Sequence, residues 1–219
     1  DIVFVYNSLL YNSNIELHHL DHPSFFTYIF FSFFFKISNF LGLISFNDLQ
    51  GFLKSENINL ALSKLFYISR FVIQIFSFGL IFLVYKISKF FSESQIISFF
   101  VTLIYIISIG FLSFMDRIES GLISVFFTLL AFYFFVIFLR IKDNKSLVYF
   151  ALSLLMIFSA MLQKKMVYFS IPFLFLSSIL FIKEKKIIYF KYDVFNFKWF
   201  YELILITIYV FFFSAVLYK

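Results

Sequence analysis

The run SGLISVFFTLLAFYFFVIFL, residues 120–139, holds no charged side chain between Glu119 and Arg140. As an α-helix it would reach about 30 Å, the thickness of a bilayer's hydrocarbon core. Lipid offers nothing to its backbone N–H and C=O groups, and a helix satisfies them within the one segment. Similar runs recur along the chain. The reading is an all-α, polytopic transmembrane helical bundle.

Composition agrees. The 219 residues are 63% hydrophobic, 26% aromatic and only 14% charged. A soluble domain of this size cannot hide that much apolar surface. There are no cysteines, so disulfides, iron–sulfur clusters and thiol catalysis are excluded. The net charge of +6 does not point to nucleic acid, because basic residues in a membrane chain mark cytoplasmic loops.

Six spans are expected at about 66–85, 95–115, 120–139, 147–163, 166–182 and 199–218. A further candidate at about 24–41 is short, carries Lys36 and precedes a polar stretch over 47–64. It reads as a juxtamembrane helix lying in the interface. Residues 1–65 are then an external loop with that helix, and residues 66–219 a transmembrane helical region. The chain opens on Asp1 without Met or a basic leader and stops just after an apolar run. It is expected to be an internal fragment.

Basic residues orient the bundle. Lys86 and Lys89 follow the first span, Arg140, Lys142 and Lys145 the third, and Lys183, Lys185, Lys186 and Lys191 the fifth. All three loops fall on one face, which is cytoplasmic by the positive-inside rule. The opposite face collects Asp1, Glu16, the histidine stretch and two very short turns. One is "SFMDRIESG", with Asp116, Arg117 and Glu119; the other is "MLQKKMVY", with Lys164 and Lys165. Charges held at helix ends against lipid are costly and mark candidate functional groups. The bland account is that the lysines snorkel.

Lysine and arginine at an outer membrane boundary suit a phosphate carried by a lipid. Carboxylates beside them suit a divalent cation or a general base. In "HHLDHPSFF", residues 18–26, Pro23 fits a first helical turn and Asp21 complements the helix N-terminus. His18, His19 and His22 are either solvated or a metal cluster.

The opening through Gly42, with "DRIES" and "QKKMVYFSIPF" after it, resembles the GT-C membrane glycosyltransferases. The likeness is to the bacterial branch related to protein O-mannosyltransferases and the lipid A aminoarabinose transferase. It implies a GT-C-like fold and an inverting sugar transfer from a polyprenyl-phosphate donor. The acceptor would be a lipid, a glycan or a protein. The enzyme would sit in a bacterial inner membrane with its active site facing outward.

The resemblance makes Asp1 catalytic or a metal ligand, with Asp116 as a second ligand if a divalent cation is used. It assigns His22, Arg117, Glu119, Lys164 and Lys165 to substrate and phosphate binding, with Glu119 orienting Arg117. The alternative from another class is a transporter or flippase of a lipid-linked glycan. It is disfavoured because the span centres are nearly pure Phe, Ile and Leu. A structural membrane subunit would leave both charged turns unexplained.

Overall fold

The computed structural model describes residues 2–17, 24–140 and 146–163. Its elements are α1 (Ile2–Asn12), α2 (Phe25–Phe40), α3 (Leu49–Leu53), α4 (Ile58–Ser92), α5 (Gln95–Ile107), α6 (Ile109–Met115), α7 (Ser120–Arg140) and α8 (Ser146–Gln163). The described residues form no strand. Two helices, α4 and α7, are long and apolar enough to cross a membrane, and a third span is complete if α5 and α6 count as one. That is the signature of a helical integral membrane protein.

Of the six expected spans, 120–139 reappears almost unchanged as α7. The span at 66–85 lies inside the 35 residues of α4, which at 1.5 Å per residue run about 52 Å. Hydropathy marks only the stretch that suits hydrocarbon; caps decide where the helix stops. Asn57 Oδ1 accepts the Leu60 N–H at 3.0 Å at one end, and Glu93 turns left-handed at the other.

The expected span 95–115 is divided. Ser108 takes extended backbone angles between α5 and α6, and the two helices bend by 61°. Its hydroxyl serves both sides of the break, donating to Tyr105 O at 2.7 Å and accepting from the Phe111 N–H at 3.3 Å. The expected span 147–163 is α8, a shorter apolar helix. The spans at 166–182 and 199–218 lie outside the described residues.

α7 and α8 run antiparallel, with small residues where they meet. Ser124 Oγ donates to Ala160 O at 3.4 Å and Ser153 Oγ to Ala131 O at 2.9 Å. Such residues let membrane helices approach closely while the hydroxyl finds a backbone acceptor. α4 passes α7 in the same direction. Phe76 meets Phe126 at 5.1 Å between ring centroids, and Arg140 sits over Phe90.

A helix does form at the expected 24–41, as α2. Its 16 residues make about 24 Å, short of a hydrocarbon core. Tyr28, Phe31 and Phe35 are buried while Lys36 is exposed. The buried side packs on α7 and then along α4, with Phe26 against Phe127 at 5.3 Å, Phe30 against Phe76 at 4.9 Å and Phe34 against Phe71 at 6.3 Å. Gly42 ends the helix at φ 73°, and Leu43 N–H returns to Ser38 O at 2.9 Å. Glycine takes that left-handed angle without a Cβ penalty.

α1 falls where an external loop was expected, and it packs Val5 and Leu9 into the core. Its C-terminus is clasped to α2 and to the segment that leads into α3. Asn12 Nδ2 donates to Asn47 O at 2.7 Å and to Ser32 O at 3.2 Å, while Ser13 Oγ accepts the Leu49 N–H at 2.9 Å.

Candidate functional site

The "DRIES" turn joins α6 to α7. Ile118 is buried and anchors the turn, while Asp116 and Arg117 before it are exposed. Tight backbone bonds hold this shape, with Arg117 N–H donating to Phe114 O at 3.3 Å and Glu119 N–H to Arg117 O at 3.0 Å. Glu119 is half-buried just before α7, and its Oε1 is buried without a hydrogen bond. A carboxylate is favoured there by the positive end of the helix dipole.

The end of α8 lies alongside. Ala160 faces Ser124, so Gln163 falls within about one helical turn of the start of α7 along the axis. Gln163 is fully buried and reaches the first turn of α2. Its Oε1 accepts the N–H groups of Phe26 at 3.0 Å and Thr27 at 3.3 Å, while its Nε2 donates to Thr27 Oγ1 at 2.7 Å. The first N–H groups of a helix need such acceptors. Ser24, in the N-cap position, gives no side-chain cap, and the glutamine takes over that task.

Two further polar atoms line the same turn of α2. Ser24 Oγ and Tyr28 Oη are buried and take no hydrogen bond. The start of α1 adjoins them, with Phe4 and Tyr28 rings 6.1 Å apart. The starts of α1 and α2 are therefore in contact, and so are the start of α2 and the end of α8.

Of the expected site residues, the turn brings Asp116, Arg117 and Glu119 together on one end of the bundle. Asp1, His22, Lys164 and Lys165 lie outside the described residues, as do His18, His19, Asp21 and Pro23. Their described chain neighbours are Ile2, Ser24 and Gln163. No group of three His, Asp or Glu side chains suited to a metal ion occurs among the described residues.

Sequence reasoning missed Gln163, Ser24 and Tyr28. In "QKK" the lysines drew the attention, although a neutral amide closing an apolar helix was itself a sign of a buried polar partner. No protein-family profile, curated protein or solved structure matches the chain.

Proposed function

We propose that the chain belongs to a membrane glycosyltransferase of GT-C type. It moves a sugar from a polyprenyl-phosphate donor to an acceptor on the extracytoplasmic face of a bacterial inner membrane. The observation that carries this reading is the bond between Gln163 and the first turn of α2. It ties the helix that follows His22-Pro23 to the helix that precedes Lys164 and Lys165, beside the turn holding Arg117 and Glu119. Segments distant in sequence, each flanked by phosphate-binding residue types, are thereby drawn to one end of the bundle.

In this reading the Asp1 carboxylate takes the proton from the acceptor hydroxyl, whose oxygen attacks the sugar's anomeric carbon from the face opposite the phosphate. The carbon–oxygen bond to the phosphate breaks and the polyprenyl phosphate departs with the electron pair. Arg117, His22, Lys164 and Lys165 meet the growing negative charge, and Glu119 shares the turn with Arg117. A divalent cation, if used, would draw on Asp1 and Asp116 and on the substrate's own phosphate oxygens.

The test is transfer of radiolabelled sugar from a polyprenyl-phosphate donor in membranes holding equal amounts of each variant. Removing one such charge-stabilising donor costs about 3 kcal/mol, on the order of a hundredfold in rate. Asp1→Asn should nearly abolish transfer and Arg117→Lys should reduce it strongly, since a point charge does not replace a bidentate fork. Lys145→Gln should be near neutral. Wild-type turnover in Asp1→Asn would remove the enzyme reading.

A transporter of a lipid-linked glycan is the second reading, favoured by the broken helix at Ser108. Transporters place such breaks at their substrate sites. Here Ile109 beside the break is 86% exposed, and no ionisable side chain lies between Tyr105 and Asp116. The break therefore lacks the polar lining that transport needs.

A further inference from the structure

The other end of the bundle carries a groove of about 590 Å³ between the C-terminal parts of α4 and α7. We infer that this groove binds the phosphate of an anionic phospholipid, with an acyl chain lying along α7.

Three cations line it: Lys86 and Lys89 from α4, and Arg140 from α7. Helix dipoles account for part of this, because Lys89 and Arg140 occupy last turns, where a cation is favoured. The dipole does not explain Lys86, nor why cations from two helices open on one space. Two of them are already oriented by aromatic rings, Lys86 over Phe82 at 5.1 Å and Arg140 over Phe90 at 5.4 Å. These contacts orient the two side chains without using up their hydrogen-bond donors. Among the described residues Glu93 is the one carboxylate on the rim, against three cations.

The rest of the lining is apolar or amphipathic: Phe90, Tyr133 and Ile137. Tyr133 lies seven residues before Arg140, about 10 Å deeper along the helix. A lipid placed with its phosphate at Arg140, Lys86 and Lys89 would run its chain down past Ile137 towards Tyr133. A free anion would use the charged rim and leave that apolar floor uncovered. The combination selects a lipid-borne phosphate, whose charge each nearby cation attracts.

The test is lipid retention. The purified chain is equilibrated with equal amounts of phosphatidylglycerol and phosphatidylcholine in detergent, and bound lipid is counted by native mass spectrometry. Phosphatidylglycerol should be retained preferentially. Each cation removed should cost roughly fivefold in relative affinity, so K86Q/K89Q/R140Q should lose on the order of a hundredfold. K36Q/K54Q/K64Q removes the same charge from exposed positions elsewhere and should leave retention unchanged.

Ile137→Trp keeps every charge while filling the floor, and it should also reduce retention; circular dichroism verifies that each variant remains helical. An excess of inorganic phosphate should not displace the lipid. Equal retention of both lipids would overturn the inference, as would equal loss in the two triple variants or no effect of Ile137→Trp. Displacement by inorganic phosphate would overturn it in favour of a free anion.

Discussion

Replacing Gln163 by Leu should show that α2 is held in place from the far side of the chain. The change keeps the approximate volume and removes the amide. Phe26 and Thr27 then lose the acceptor of their N–H groups, and Thr27 Oγ1 loses its donor. Each buried polar group left unpaired costs about 1–3 kcal/mol. Taking the low end for three groups gives a loss of about 3 kcal/mol. Ser24 cannot substitute, since its side chain does not cap the helix.

Thr27→Val isolates one part of this. Alone, it leaves Gln163 Nε2 buried without its acceptor and should cost about 1–2 kcal/mol. In the Gln163→Leu background that partner is already gone, so the same change should cost little, and the double-mutant cycle should show a coupling of about 1–2 kcal/mol. The measurement is reversible unfolding in mixed micelles titrated with sodium dodecyl sulfate, followed by far-ultraviolet circular dichroism. Strictly additive costs would refute the contact. So would a Gln163→Leu protein within about 0.5 kcal/mol of the parent, the range of an ordinary surface change.

Gly79 marks the close approach of α4 to α7, since a Cβ there would lie 2.6 Å from Phe126 Cε2. Gly79→Leu must push that ring away from Phe76 and should destabilise by about 1–3 kcal/mol in the same titration. For the proposed orientation, cysteines are introduced singly at Ser113, Ser88 and Ser146 and probed in intact cells with an impermeant thiol reagent. Ser113→Cys should react while the other two stay protected, and reaction at position 88 would reverse the orientation.

Much of the helical plan was legible in the chain. The charge-free run between Glu119 and Arg140 became α7, and the short apolar run at 24–41 became α2. The "DRIES" turn was legible as a cluster, because two apolar runs separated by four residues confine its charges to one short turn, where Asp116 and Arg117 are exposed. α1 was not legible. Its apolar run is too short to stand out, and it is helical because Val5 and Leu9 have a core to enter.

Whether a segment is apolar, and long enough to cross a membrane, is a local property that adds up residue by residue, so the sequence by itself determined a helical membrane protein. Partnership is not local. The acceptor that caps α2 comes from Gln163, 137 residues beyond Phe26, and the groove at Arg140 exists because α4 passes α7 in the same direction. Only the tertiary structure decided these, because a buried polar atom is satisfied by whichever group packing brings within about 3 Å, and sequence distance says nothing about that.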